Sequence, residues 1–268
     1  MAANEIESHW GAAAVDTESW DLPALKASFL IGHAPTRGRV CEIGSGDGKL
    51  LRTLKRAQPA LELHGCDVRV PATKPEVYAF RQIQGDALPY DDAWLDGAIV
   101  FDVLEHVPDP ERTLSEVARV LKPGGSFVAF VPTEGQPFSW YEVYRRLLGR
   151  DVYAQTKEHV HAFSRDGLRA MVERDFEIET TAYVYHALGH MMDASFFAAA
   201  KLKPVQRFWW NDNIYYNGPA VGSRPSLTSR ALNGLMQLGN AAAYAESKLL
   251  KSVPFASAGI MFAARVRR

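Results

Sequence analysis

What this sequence is short of narrows its class first. Its 268 residues hold only two cysteines, Cys41 and Cys66, both inside apolar runs. Two thiols make no disulfide framework, and their setting suits a reducing compartment. Neither sign of charge is in surplus: 30 Lys and Arg stand against 31 Asp and Glu, a formal net charge of −1. A broad nucleic-acid footprint needs an excess of positive charge, so no DNA partner is expected, although the count allows a local basic patch. No run of about 18 uninterrupted apolar residues is present, as a membrane-spanning helix would require. Met1 to Trp10 carries Glu5 and Glu7 and has no apolar stretch flanked by basic residues, so it does not read as a secretory leader. There is no internal repeat, and no low-complexity tract beyond short alanine runs. The expectation is a cytoplasmic protein, with any membrane contact peripheral.

What is present reads as an ordinary globular chain, 47% hydrophobic and 23% charged, at the upper end of single-domain length. One domain is expected over 1–268: a helical preamble at 1–38, a core at 39–185, a helical insertion or cap at 186–253 and a last strand at 254–268. The preamble's helix runs from Asp21 to Leu30, with Asp21 as cap and Pro23 in the first turn. Strands are read at Val40–Ile43, at Leu61–Cys66 ending in Asp67, between Val77 and Gln84, at Leu95–Phe101 and at Ser126–Val131. Helices alternate with them at Leu50–Ala57 and Pro110–Leu121, the latter with Leu114, Val117, Ala118 and Leu121 at helical spacing. That alternation implies parallel strands joined by right-handed crossovers. Further on, helices are read at Trp140–Gly149 and Arg165–Arg174, and strands at Phe176–Tyr185 and Ala256–Val266.

The first strand runs into Glu42-Ile43-Gly44-Ser45-Gly46-Asp47-Gly48. A sharp strand-to-helix turn needs residues without a Cβ, and glycine also lets a ligand touch the backbone. Dinucleotide sites place Gly-x-Gly-x-x-Gly here. In this chain the third glycine comes one residue early, at Gly48, and Lys49 occupies the slot. Glu42 would repel a diphosphate but could pair with an ammonium. S-adenosylmethionine carries an ammonium, a sulfonium and no phosphate, so the charge pattern favours it over a nicotinamide dinucleotide. Asp67 follows the second strand, and one carboxylate can accept from both hydroxyls of a ribose.

These residues resemble motif I of the class I S-adenosylmethionine-dependent methyltransferases. Gly85-Asp86-Ala87, Phe101-Asp102-Val103-Leu104-Glu105-His106-Val107 and Leu121-Lys122-Pro123-Gly124-Gly125 extend the resemblance, toward the small-molecule, ubiquinone-biosynthesis-like branch. It covers 38–132 well and 156–185 weakly. It implies an α/β fold: a Rossmann-like, doubly wound, mostly parallel seven-stranded sheet with an antiparallel last strand and a helical insertion before it. It also implies cofactor contacts at Glu42, Gly44, Ser45, Gly46, Gly48, Asp67, Val68, Asp86, Ala87, Phe101, Asp102 and His106. Asp86 remains open to a second role as a helix cap, and Glu105 and His106 to purely local hydrogen bonding.

Methyl transfer is an in-line displacement, so the protein must align acceptor and methyl and exclude water. A hydroxyl or acidic-carbon acceptor also calls for a base. The alternating histidines of Glu158-His159-Val160-His161 fall on one side of an extended segment, making His159 or His161 the expected catalytic base, with His106 in reserve. His186 and His190, four apart with Asp193 beyond, have a spacing zinc accepts, but no further motif supports a metal and none is expected. No Asn-Pro-Pro-Tyr-like tetrapeptide follows the fourth strand. Members of the resembled family that methylate adenine or glutamine amides carry one there, so the resemblance weighs against N-methylation of nucleic acid; an oxygen or carbon acceptor on a secondary metabolite, sugar or lipid-like small molecule is expected. The aromatic and basic segment 196–210 reads as core, as a lid, as a homodimer contact or as a peripheral membrane element. Two other classes stay open. One is a protein- or RNA-modifying methyltransferase with a basic face around Arg145, Arg146, Arg150 and Lys157. The other is a binding module that keeps the cofactor and methylates nothing.

Overall fold

The computed structural model describes residues 14–71, 75–136, 139–148, 159–199 and 227–267. The expectations placed on Glu158, Arg150, Lys157, Asp193 and 196–210 concern side chains outside those described.

Seven strands form one sheet in the order β3-β2-β1-β4-β5-β7-β6. They are β1 (Gly38–Ile43), β2 (Leu61–Asp67), β3 (Ala79–Gln82), β4 (Leu95–Phe101), β5 (Leu121–Pro132), β6 (Phe176–Val184) and β7 (Gly259–Val266). β1 to β5 pair in parallel. β7 runs antiparallel between β5 and β6, as expected for the last strand. Helices α1 (Leu22–His33), α2 (Lys49–Ala57), α3 (Pro110–Val120), α4 (Trp140–Leu148), α5 (Arg165–Val172), α6 (Ala187–Ala199) and α7 (Leu227–Leu249) complete the described elements. α6 and α7 fill the expected insertion between β6 and β7.

The central strands are apolar on both faces because both faces are covered. Val40, Ile99 and Val128 pack with Leu30 of α1 and Leu51 and Leu54 of α2. Cys41, Val100 and Phe127 pack on the other side with Leu114 and Val117 of α3 and Leu168 of α5. Cys41 and Cys66 are both buried and unbridged, their sulfurs 3.8 Å apart.

α1 starts where its cap predicts: Asp21 accepts from the Ala24 amide at 2.8 Å. α3 ends one residue earlier than its periodicity suggests. Leu121 is already extended, at φ −77° and ψ 140°, and pairs with Leu95. That pairing takes Leu121 out of the helix one residue before the point at which Pro123, by disfavouring helical backbone at Lys122, would end it; residues 122–125 then loop out before Ser126 rejoins the ladder opposite Gly97.

Parallel pairing brings the ends of β1, β2, β4, β5 and β6 to one carboxyl edge, where such sheets bind ligands. α1 lies along the sheet in the opposite sense. Its end at His33 reaches the start of β5, where Ser126 Oγ donates to the His33 carbonyl. Lys26, near its start, lies over Phe130 at the carboxyl end of β5.

Candidate active site

After β1 the chain turns through Gly44, Gly46 and Gly48, with φ of 71°, 46° and 74°. Glycine enters this left-handed region freely, whereas other residues pay roughly 1–2 kcal/mol. The first two glycines serve different ends. A Cβ on Gly44 would stand 2.5 Å from Val103 Cγ2, so its absence permits packing. A Cβ on Gly46 would meet nothing within 4 Å, so its backbone lies open. The amides of Gly44 and Ser45 both donate to the Cys66 carbonyl, at 2.8 and 3.1 Å. Asp67 completes the seam, accepting from the Gly46 amide at 2.9 Å and the Arg69 amide at 3.0 Å. Each of its oxygens has a second lone pair available for a hydroxyl. Val68 beside it is exposed, and its carbonyl accepts from Gln82.

Glu42 is buried under this loop and accepts from the Leu51 amide in the first turn of α2. Its Oε2 has no partner, and neither do the buried Ser45 Oγ and Tyr78 hydroxyl. Burial, reinforced by Cys41 and Asp67, holds the Glu42 carboxyl well above the usual carboxylate range. Burial, with the Glu42 charge next, pushes the Tyr78 phenol up to about 12. A buried polar atom without a partner costs roughly 1–3 kcal/mol. A cationic ligand carrying hydroxyls would relieve this group of atoms and restore the Glu42 charge, whereas an ionised Glu42 would repel a diphosphate. The residues therefore fit S-adenosylmethionine.

Asp86 and Ala87 lie in an exposed turn closed by a Gln84–Ala87 bridge. Asp86 caps no helix and stands 3.4 Å from Arg112. Phe101 is buried. Asp102 leaves β4 at φ 53°, with its carboxylate 2.7 Å from Lys26. The Lys26 ammonium sits 3.5 Å over the Phe130 ring and 6.0 Å from that of Tyr185, a residue also in the left-handed region, at φ 55°. Lys26 escaped sequence reasoning, which had identified its helix but not the face turned to the site.

The expected catalytic residues separate. His159 and His106 meet edge to face, ring centroids 4.8 Å apart, and His159 Nδ1 lies 3.0 Å from Glu134 Oε2. His106 Nε2 is 3.9 Å from Glu105 Oε1. One ligand atom from each of Glu105, His106 and His159 can be chosen with all three within 4.8 Å of one another, close enough to surround a cation. His161 instead points Nε2 at the Val107 carbonyl, 3.0 Å away. Glu134 was missed; its signal was a carboxylate just past an apolar strand. His186 is bonded to the Val253 carbonyl at 2.9 Å, away from any ligating group of the site. Arg145 and Arg146, read as part of a basic face, both lie against Glu142, at 2.8 and 3.9 Å.

Comparison with known proteins bears on the family and the fold. Residues 21–181 match the model of a family described as a methyltransferase domain. An uncharacterized methyltransferase of Mycobacterium leprae is 33% identical over 145 residues, covering 50% of this chain and 53% of the relative. A ubiquinone biosynthesis O-methyltransferase of Paracidovorax citrulli is 29% identical over 118 residues, covering 39% of this chain and 48% of the relative. The chain thus spans about half the length of these curated relatives. Among solved structures, the [4+2]-cyclase SpnF superposes with a TM-score of 0.54 at 18% identity, covering 96% of this chain and 87% of that one. Geranyl diphosphate C-methyltransferase from Streptomyces coelicolor A3(2) superposes with a TM-score of 0.52 at 16% identity, covering 91% and 79%. A cyclase and a methyltransferase on one scaffold show that fold alone does not name the reaction. With a family match that reaches from the helix before β1 into β6, the chain belongs to the methyltransferase-domain family.

Proposed function

We propose that this chain transfers a methyl group from S-adenosylmethionine to an oxygen or carbon atom of a small molecule. The observation that carries the reading is the open Gly46 backbone bonded to Asp67, above a buried, partnerless Glu42 oxygen. When bound, S-adenosylmethionine supplies an electrophilic methyl on a sulfonium. Asp67 takes the ribose hydroxyls, Ser45 and the open Gly46 meet the amino-acid end on a turn that Gly44 and Gly48 shape by packing against Val103 and Tyr78, and Asp86 and Ala87 flank the base. Val68, Phe101 and Asp102 line the same edge. The remaining work of the chain is to hold the acceptor in line, exclude water and take up a proton where the acceptor is a hydroxyl or an acidic carbon. His159 is the base in this reading, with His106 beside it, because His161 is committed to a backbone carbonyl. The reading takes 1–268 as one domain, with α6 and α7 as its cap. Among the described residues no helix is long and apolar enough to cross a membrane.

Calorimetry tests the first half of this reading. S-adenosylmethionine and its demethylated product should bind, and NAD should not. Binding of NAD alone would sink it. A mass-spectrometric screen with methyl-labelled cofactor then identifies the acceptor, and binding without transfer to any acceptor would favour the non-catalytic class.

A further inference from the structure

The carboxyl edge beyond β4 and β5 contains a carboxylate–imidazole pair held from both sides. On one side, the chain after β5 is fastened by the Thr133 amide to the Ala258 carbonyl at 2.8 Å and by the Gly135 amide to the Phe163 carbonyl at 3.2 Å. A Cβ at Gly135 would stand 2.7 Å from the Ala162 carbonyl oxygen, so only glycine allows this approach. On the other side, the amides of Val160 and His161 both donate to the Glu105 carbonyl, at 2.8 and 3.2 Å. Between these clamps His159 Nδ1 meets Glu134 Oε2 at 3.0 Å, with side chains only 9% and 5% exposed.

A carboxylate at that distance selects the tautomer. Nδ1 carries the hydrogen and donates it, and Nε2 keeps the lone pair. Glu134, His106 and Glu105 lie about the ring, with the Asp102–Lys26 pair on the same strand exit. Glu105 is fully buried, and neither carboxyl oxygen has a hydrogen-bond partner on another residue, His106 Nε2 standing off at 3.9 Å. Burial, with Asp102 next, holds its carboxyl well above the usual range, so it does not act as a second fixed anion beside His159. Lys26, the cation at this strand exit, is already paired with Asp102, and the group facing His159 is the Glu134 carboxylate; that arrangement disfavours a phosphorylated acceptor.

Resting on the methyl-transfer reading above, we propose that Glu134 is a positioning residue that fixes His159 with Nε2 as the base for a neutral hydroxyl acceptor. As the acceptor oxygen bonds to the methyl carbon, that carbon's bond to sulfur breaks and sulfur keeps the electron pair. The hydroxyl proton passes to His159 Nε2, and Glu134, still ionised, pairs with the imidazolium.

Nitrogen NMR of histidine-labelled full-length protein tests the pair without needing an acceptor. His159 should be in the Nδ1–H form. Glu134→Gln should keep it, because the amide oxygen still accepts, and Glu134→Leu should invert it. An Nε2–H ring in the unaltered protein overturns the proposal, as does a His159 nitrogen that ligates an added divalent cation on which transfer depends. Labelled-methyl transfer to a panel of phenols and alcohols, with their phosphorylated counterparts, tests the acceptor. Neutral hydroxyls should be labelled, about 10²-fold more slowly in Glu134→Leu at unchanged cofactor affinity. Transfer to no neutral hydroxyl while the cofactor binds overturns the acceptor class. If the cofactor fails to bind, the methyl-transfer reading falls and the base assignment with it, even where the tautomer is as stated.

Discussion

The two ends of the carboxyl edge are built from different materials. At the β1–β2 end the working parts are backbone: amides of Gly44, Ser45 and Gly46 on Cys66 and Asp67, with Gly46 and its carboxylate partner 21 positions apart. At the β4–β5 end they are side chains drawn from distant places. Lys26 reaches Asp102 across 76 residues and His161 reaches Val107 across 54. The backbone end therefore depends on where a side chain is missing, and the side-chain end on which atom each partner offers. Substitutions should hurt folding and cofactor uptake at the first end, and chemistry at the second.

The largest effect is expected where a missing side chain is a packing requirement. Gly44→Ala forces a Cβ to 2.5 Å from Val103 at φ 71°, which should cost about 2–4 kcal/mol of stability, the sum of overpacking and left-handed strain. Gly46→Ala, at φ 46° with open space around it, should cost about 1 kcal/mol yet still weaken cofactor binding, because the methyl enters the ligand's space. Urea unfolding and calorimetry on both variants check this. Equal losses of stability would erase the distinction between a packing glycine and a ligand-facing one.

Buried acid at the backbone end gives the next effect. The folded-state pKa of Glu42 lies above its ordinary value of 4.5. Above pH 4.5 the folded state therefore holds more protons than the unfolded one, so stability falls as pH rises, by about 1.4 kcal/mol per pH unit until the raised pKa is passed. Glu105 is shifted the same way. Glu42→Gln should remove one of the two contributions, flattening the fall in melting temperature between mildly acid and mildly alkaline pH. A slope unchanged by Glu42→Gln would mean that the Glu42 charge is satisfied without a ligand.

How much of each end was legible in the sequence follows from the same contrast. The glycines, Asp67 and the bounds of β4 could be read because their constraints are local: a turn that excludes Cβ atoms, and a strand apolar on both faces. The end of α3 was misread by one residue because helical periodicity does not register that Leu121 pairs with Leu95 on another strand. Period-two spacing made His159 and His161 look equivalent. Their partners, Glu134 and the Val107 carbonyl, come from the exits of two other strands, which no short window contains. Lys26 and Glu134 stayed hidden for the same reason, since each becomes part of the site only through the sheet order.

A smaller effect is expected at Lys26. Its side chain is 13% exposed, and its ammonium holds an Asp102 that is half exposed while resting on the Phe130 ring. An ion pair open to water on one side and a cation–π contact together suggest a loss of about 1 kcal/mol in Lys26→Met. Amide exchange should quicken in the first turns of α1 and stay unchanged at Gly44–Gly48. Faster exchange at the glycine loop would show that the two ends are coupled through α1.

The smallest change in turnover is expected at His161, and it sharpens the comparison most. His161 stacks on Phe163 at 5.6 Å and spends Nε2 on a backbone carbonyl. His161→Phe keeps the stacking and loses one hydrogen bond, for about 0.5–1.5 kcal/mol of stability, with turnover within about twofold, since the lost interaction is one of positioning alone. His159→Phe removes the ring backed by Glu134 and should lower turnover by about 10²-fold with cofactor affinity intact. Measured on whichever acceptor the labelled screen returns, the two variants separate a base from a strut although they stand two residues apart. If both lose turnover equally, the 159–163 segment acts as one packed unit, and the tautomer held by Glu134 serves the fold rather than the proton.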